Sequence, residues 1–183
     1  GGSSGGASAL TAAGINPFNH GNDGGGSIRI PAAHTGLVGL KPSYGRIPQH
    51  PADAPFADVI SQGVLARTVL DTAMALNLTA GHDPRDWRSL PDEARDYTVG
   101  LNAGVRGWKI GLSLDLGHVK ADPEVRELVA AAARRFEDLG AHVEEVGPMF
   151  EPLQQHFEPL WIGSFATRFR QIPTQLHDKL DPG

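Results

Sequence analysis

The chain has 183 residues, a net charge of −5 and no cysteine. Hydrophobic residues make up 40% of it and charged residues 20%, which indicates a soluble globular protein, by default of one domain. The negative charge argues against a nucleic-acid binder that depends on phosphate contacts. The absence of cysteine excludes thiol catalysis, disulfides and thiolate metal sites, and no apolar run reaches membrane-spanning length.

The first element is a glycine-rich loop, Gly1-Gly2-Ser3-Ser4-Gly5-Gly6. An alanine-rich helix is predicted from Ala7 to Ala13, with Gly14 ending it. By itself the loop fits a flexible linker, a phosphate-binding loop or a catalytic loop, although a P-loop motif is absent. The chain opens inside this motif without a methionine, so we expect a fragment of a longer protein.

A second glycine loop follows, in the stretch Asp23-Gly24-Gly25-Gly26-Ser27-Ile28-Arg29. Glycines allow the backbone to approach a ligand closely, and a serine beside backbone N–H donors is the arrangement that acyl transfer needs. Ser27 lies 24 residues after Ser3. A strand is then predicted at Leu37 to Leu40, followed by a turn at Lys41 to Arg46.

The sequence resembles the amidase signature family. The resemblance rests on the two glycine–serine loops, on the continuation Ile30-Pro31-Ala32-Ala33, and on Gly36-Leu37-Val38-Gly39-Leu40-Lys41-Pro42. It is strong over residues 1–48 and looser beyond them.

The resemblance implies a serine–serine–lysine relay, in which Ser27 is the nucleophile and Ser3 is a bridging serine held by a cis peptide bond. The relay's lysine is expected upstream of this sequence, and no cofactor or metal is implied. Two groups of residues complete the implied site. The oxyanion hole is expected from Gly24, Gly25, Gly26 and Ser27, and supporting roles are expected for Asp23, Arg29 and Ser4.

Two other kinds of base are conceivable for Ser27. A Ser-His-Asp arrangement would need a histidine, and His20 and His34 are near in sequence, but no motif places either beside Ser27. Lys41 belongs to a family motif, although not at the place of the catalytic lysine. Ser8 is expected to be exposed and to have no part in the site.

The middle of the chain predicts scaffold elements. Residues 48–57 are expected to form an extended surface loop, and a strand is predicted at Val59 to Leu65. Thr68 and Asp71 form a weak capping box before a helix that ends at Gly81. The apolar face of this helix is expected from Val69, Leu70, Ala73, Met74 and Leu76.

Two polar stretches follow this helix. His82 and Asp83 suit a turn and a cap better than a metal site. The charge-rich residues 85–104 are expected to run over the surface in solvent.

Residues 105–147 predict a β-α-β unit with parallel strands and a right-handed crossover. The strands are predicted at Trp108 to Ser113 and His142 to Val146. Asp122 and Pro123 are suited to begin the intervening helix, and Gly140 to end it. Its apolar face is predicted from Val125, Leu128, Val129, Ala132, Phe136 and Leu139.

The last segment predicts helices at Leu153 to Phe157 and Leu160 to Ile172, near Pro159. Trp161, Phe165 and Phe169 recur at four-residue steps. A core-facing stripe is favoured over a pocket wall. The chain stops at Asp181-Pro182-Gly183 without a terminal element, which again predicts truncation.

Together these features predict an α/β fold with a mixed β-sheet flanked by helices, in a partial amidase domain over residues 1–183 that is incomplete at both ends. The expected function is hydrolysis of a small-molecule amide through an acyl-enzyme. The alternatives are the A-type subunit of a glutamine-dependent amidotransferase, which usually carries glutamine where this chain has Ile30, and a non-catalytic anion-binding module. We expect no nucleic acid or membrane partner and a cytoplasmic location, with a homodimer left open.

Overall fold

The computed structural model describes residues 2–51, 59–148 and 150–180, apart from the side chain of residue 167. Most of the loop predicted at 48–57 therefore lies outside the described residues. The chain divides into two compact units, Gly1–Val99 with Glu158–Gly183, and Gly100–Phe157. Helices and strands both occur, so the prediction of an α/β fold is confirmed.

The first unit is built on a three-stranded antiparallel sheet. Its strands are β1 (Phe18–Asp23), β2 (Val38–Leu40) and β3 (Ser61–Ala66), in the order β1-β3-β2. All six residues of β3 are buried, because β3 is paired on both edges and covered on both faces. The strands predicted at Leu37 to Leu40 and at Val59 to Leu65 correspond to β2 and β3, whereas β1 was not predicted.

Helices cover the two faces of this sheet. On one face Leu65 packs with Ile28 and Ala32, and on the other Val64 packs with Ala75 and Leu76. Adjacent residues of a strand point to opposite faces, so β3 supplies both clusters.

Three helices belong to this arrangement: α1 (Gly5–Ala12), α2 (Arg29–Thr35) and α3 (Val69–Thr79). The prediction of α1 is confirmed within two residues at its start. The helix α2 was not predicted, because its few residues include Pro31 and follow a glycine run. It ends at Gly36, whose φ of +69° favours glycine.

The capping prediction for α3 is confirmed, since Thr68 Oγ1 accepts a hydrogen bond from Asp71 N at 3.0 Å. The predicted apolar face is only partly right. Ala73 and Leu76 are buried, but the large side chains of Val69, Leu70 and Met74 are more than half exposed. The other buried residues of α3 are Thr72 and Ala75, which were not part of the predicted face.

The prediction that residues 85–104 run through solvent is wrong for part of the segment. Asp86 and Arg88 are 4% and 8% exposed, and Arg88 Nε donates to Asp86 Oδ1 at 2.8 Å. The other carboxylate oxygen of Asp86 accepts from Gln49 N at 2.7 Å. Pairing of the two charges explains their burial.

The second unit confirms the predicted strand–helix–strand order. It contains β4 (Lys109–Leu112), α4 (Pro123–Asp138) and β5 (His142–Glu145), and the two strands pair in parallel. Asp122 accepts from Glu124 N at the start of α4, and Gly140 follows its end with φ +90°. The antiparallel strands β1, β2 and β3 and the parallel strands β4 and β5 thus form two separate sheets.

The apolar stripe predicted on α4 is not packed among the described residues. Val125, Leu128 and Leu139 are each more than half exposed, whereas Ala133 is buried. The sequence period therefore predicted the helix correctly but not what covers its face.

The last helix, α5 (Gln154–Phe169), is continuous through Pro159, and a short 3-10 helix follows at Thr174–Lys179. The single helix α5 is thus found in place of the two helices predicted on either side of Pro159. Within the described ranges no helix combines the length and the hydrophobicity that a bilayer crossing requires.

Candidate active site

The two glycine–serine loops lie together in the first unit. The first loop leads into α1, and the second joins the end of β1 to the start of α2. The backbone N–H of Ser4 donates to the carbonyl oxygen of Ser27 at 3.2 Å. The Ser4 hydroxyl lies 3.3 Å from both the carbonyl oxygen and the nitrogen of Asn22. Ser4 therefore joins the first loop to both ends of the second.

Asp23 holds the second loop in shape. It is fully buried, and its carboxylate accepts from the backbone N–H groups of Gly26, Ile28 and Arg29 at 2.7, 3.2 and 3.2 Å. The guanidinium of Arg29 adds two bonds, from Nε at 2.9 Å and from Nη2 at 2.8 Å. These five hydrogen bonds hold the second loop in one conformation.

The pKa of the Asp23 carboxyl reflects these contacts. Burial by itself raises it, but the hydrogen bonds from Arg29, Gly26 and Ile28 favour the charged form and hold the pKa well below its usual range. Asp23 is therefore a fixed anion around which the loop folds, rather than an acid poised to exchange protons near neutral pH.

The four N–H groups expected to form the oxyanion hole differ in their contacts. That of Gly26 donates to Asp23. Those of Gly24, Gly25 and Ser27 have no hydrogen-bond acceptor within the described part of the chain. As far as the described residues are concerned, these three N–H groups are open to an oxygen of a ligand.

The two serines expected in the relay are accessible. Ser3 is exposed and Ser27 is half-buried, and the peptide bond between Gly2 and Ser3 is cis. Neither hydroxyl forms a hydrogen bond to another described residue. The prediction that Ser8 is exposed is wrong. Ser8 is fully buried, and its hydroxyl lies 3.1 Å from Pro31 O and 2.7 Å from Thr35 Oγ1.

None of the alternative bases forms a hydrogen bond with Ser27 in the described residues. His20 lies on β1 and His34 on α2, both with exposed side chains. Lys41 Nζ donates to Pro42 O at 2.9 Å.

His82 and Asp83, which were considered as metal ligands, interact with other side chains. His82 Nδ1 is 3.2 Å from Ser89 Oγ, and Asp83 pairs with Arg85. No group of three or more ligating side chains is found across the described ranges.

Two apolar side chains next to the loop were not singled out by sequence reasoning as neighbours of the glycines. A Cβ atom built on Gly24 would lie 2.9 Å from Trp161 Cζ3, and one built on Gly26 would lie 2.6 Å from Ile30 Cδ1. Ile30 is close in sequence and could have been placed by its position in α2. Trp161 comes from α5, and no local signal predicts that contact.

The site combines an accessible serine, a loop fixed by a buried aspartate and three backbone N–H groups that have no acceptor among the described residues. Such an arrangement is suited to enzymes that transfer acyl groups through a serine. Comparison with known proteins narrows this class. The family model described as Amidase matches residues 1–175. The chain therefore belongs to the amidase family.

The similar proteins include an amidotransferase subunit and acylamidases. The chain is 44% identical over 146 residues to the A-type subunit of glutamyl-tRNA(Gln) amidotransferase from Lactiplantibacillus plantarum, covering 80% of this chain and 30% of that protein. It is 39% identical over 170 residues to an acylamidase of Rhodococcus erythropolis, covering 92% and 36%. It also matches the crystal structure of a bacterial aryl acylamidase of the amidase signature family, with a TM-score of 0.82 and 40% identity, covering 97% and 40%. The chain thus spans about a third of the length of the curated relatives.

Proposed function

We propose that the protein hydrolyses the carbon–nitrogen bond of a small-molecule amide, with Ser27 as the nucleophile. The observation that carries the proposal is the placement of Ser27. Its half-buried hydroxyl lies on a loop held by Asp23 and beside N–H groups that have no acceptor among the described residues. Membership of the amidase family and the likeness to acylamidases support the same reaction.

In the proposed reaction, Ser27 Oγ attacks the carbonyl carbon of the amide and loses its proton to Ser3 Oγ. The Ser3 proton passes to a neutral lysine, which the family resemblance places before Gly1. The carbonyl oxygen becomes an oxyanion that accepts hydrogen bonds from Gly24, Gly25 and Ser27 N–H. Such preorganised donors are worth about 10²–10³ in rate each.

The tetrahedral intermediate then collapses. The carbon–nitrogen bond breaks, and the departing amine takes the proton back through the same groups. An ester on Ser27 remains. Water attacks this ester, gives up one proton to the relay and releases the carboxylic acid, which regenerates the Ser27 hydroxyl.

The proposal is tested by labelling the full-length protein with a fluorophosphonate and by measuring amine or ammonia release from a panel of aliphatic, aryl and peptide amides. We expect labelling and turnover in the wild type and in Ser43→Ala, whose exposed serine lies outside the loops. Ser27→Ala should lose both. Labelling that persists in folded Ser27→Ala would refute the assignment, and the absence of both in the wild type would favour an anion-binding module.

The second candidate is the A-type subunit of an amidotransferase, which the identity to that protein in Lactiplantibacillus plantarum favours. Ile30 argues for the amidase, because its apolar side chain lies over Gly26 in the loop where the amidotransferase usually has glutamine. Glutaminase activity measured beside aryl-amide hydrolysis decides between them. We expect the wild type to prefer the aryl amide and Ile30→Gln to reduce that preference.

A further inference from the structure

The helix α1 packs against β1 and is attached to it near both ends. At the beginning of the helix, the Ser4 hydroxyl lies 3.3 Å from the nitrogen and from the carbonyl oxygen of Asn22. Towards its end, Thr11 Oγ1 accepts a hydrogen bond from Asn19 Nδ2 at 2.6 Å. The helix rises about 10 Å from Ser4 to Thr11, and the strand extends about 10 Å from Asn19 to Asn22. Helix and strand therefore match in length between the two attachments.

A charged side chain fixes the last turn of α1. Arg67 directly follows β3, and its Nη1 donates to the carbonyl oxygens of Thr11 at 2.8 Å and Asn16 at 2.9 Å. A cation is favourable at this place, because the last carbonyls of a helix carry the negative end of its dipole. Ser8, in contrast, lies in the middle of α1 and contacts α2, so its hydroxyl holds neither end of the helix. Arg67 is thus the side chain that ties the end of α1 to the end of β3.

We propose that Arg67 is a positioning residue, which holds the end of α1 and thereby sets the place of Ser3 just before the helix. The inference rests on the proposed function, since Ser3 is the bridging serine of that reaction. A short helix moves as a rigid element, so a shift at Thr11 is transmitted to Ser3. Ser27 lies on the other glycine loop and does not follow this movement. Loss of Arg67 should therefore displace Ser3 relative to Ser27.

The effect of this displacement falls on proton transfer rather than on substrate binding. The N–H groups proposed to bind the amide oxygen lie on the second glycine loop, which Asp23 holds in shape. The hydroxyl of Ser3, however, must come within hydrogen-bond distance of Ser27 Oγ to take its proton. A catalytic group displaced by about 1 Å can cost about 10²-fold in rate. We therefore expect the loss of Arg67 to lower kcat and to leave KM nearly unchanged.

The first experiment measures kcat and KM for p-nitroacetanilide, and the rate of fluorophosphonate labelling, in the full-length wild type, Arg67→Ala and Arg67→Lys. We expect Arg67→Ala to lower kcat and the labelling rate by about tenfold to a hundredfold and to change KM by about twofold or less. Arg67→Lys should lose less of both, because its ammonium can still donate to one of the two carbonyls.

Arg46→Ala is the matched control. Arg46 Nη1 also donates to a main-chain carbonyl, that of Pro91 at 3.2 Å, but it joins segments that carry neither serine. Arg46→Ala should leave kcat, KM and the labelling rate unchanged.

A double substitution separates a positioning role from a general loss of stability. Once Ser3 has no hydroxyl, its position no longer affects proton transfer. In a Ser3→Ala background we therefore expect Arg67→Ala to lower kcat further by about twofold or less. An equal fold loss of kcat with and without the Ser3 hydroxyl would overturn the inference, because Arg67 would then act on something other than Ser3.

Hydrogen exchange tests the attachment of α1 without any turnover. Amide exchange in the peptide of residues 2–13, measured by mass spectrometry on the full-length protein, should be about tenfold faster in Arg67→Ala than in the wild type and unchanged in Arg46→Ala. If the wild type hydrolyses no amide but this exchange depends on Arg67, the attachment stands and the proposed reaction fails.

Unchanged exchange in α1, or wild-type kcat, in folded Arg67→Ala would overturn the inference. Arg67→Lys keeps the charge and is expected to fold, so the same comparisons and the same two contrary outcomes apply to it if Arg67→Ala does not fold.

Discussion

The backbone N–H of Ser4 donates to the carbonyl oxygen of Ser27 at 3.2 Å. This bond fixes the residue after Ser3 against the proposed nucleophile, although the two loops are separated by α1 and β1. A relay from Ser27 to Ser3 also requires the two hydroxyls to come within hydrogen-bond distance, because proton transfer acts over that distance, and in this structure they form no hydrogen bond with each other.

Ser27→Ala should lower kcat by about 10³-fold or more. It should leave the thermal unfolding temperature nearly unchanged, because the half-buried hydroxyl forms no hydrogen bond to another described residue. Steady-state kinetics and thermal denaturation of the full-length protein measure the two effects. Ser43→Ala is the matched control. A folded Ser27→Ala protein with near wild-type turnover would contradict the assignment.

Ser3→Ala and Ser8→Ala should affect different properties. Ser3 is the proposed bridging serine, so Ser3→Ala should reduce activity strongly. Because Ser3 is exposed, the substitution should change stability little. Ser8 is buried and bonded to Pro31 O and Thr35 Oγ1, so Ser8→Ala should cost about 1–2 kcal/mol of unfolding free energy and leave kcat nearly intact. Urea unfolding and kinetics on both variants test this pair. The bridging role of Ser3 is refuted if Ser3→Ala retains full kcat.

Asp23→Asn should destabilise the protein at neutral pH by about 2 kcal/mol or more, because a buried amide group would replace an acceptor of several N–H donors. The comparison is Asp83→Asn, in a pair whose arginine is 66% exposed, which should change stability little. Urea unfolding at pH 7 measures both.

The pH dependence of stability should also identify Asp23. Its folded-state pKa lies below the ordinary value of 3.8, so the unfolded chain binds the proton more readily. The stabilisation of the fold by charged Asp23 is therefore complete at pH values above the ordinary pKa. It is lost as the pH falls from that pKa toward the lower pKa of the folded state. Unfolding measured from pH 7 down to 3 should show this loss beginning near pH 4 in the wild type, and a smaller loss in Asp23→Asn. Identical profiles would contradict the prediction.

Arg88→Met should cost about 3–5 kcal/mol, because it leaves the carboxylate of Asp86 buried without its cation. Both side chains are nearly inaccessible, at 4% and 2%. Arg85→Met, which removes an exposed cation from the same segment, should have a much smaller effect. Equal changes in urea midpoint for the two variants would show that the buried pair contributes no more than a surface pair.

Local signals allowed much of the fold to be predicted. Thr68 before α3, Asp122 and Pro123 before α4, and Gly140 after it act on backbone groups within a few residues. Their effect does not depend on what the rest of the chain does. The order of the motifs likewise sufficed to indicate the amidase family, because the glycine–serine loops are contiguous in sequence.

Tertiary structure decided burial and the partners of the site. Asp86 and Arg88 look like solvent-facing charges in sequence, but pairing with each other and with Gln49 allows them to be buried. The stripe on α5 has the period of a core-facing helix, yet Trp161 lies against Gly24 and its neighbours line a groove. A periodic pattern specifies that one helix face is apolar, whereas the surface that meets this face is set by distant segments of the chain. The sequence alone therefore predicted a nucleophilic serine and the loop that carries it, whereas only the folded chain showed which residues lie around that loop.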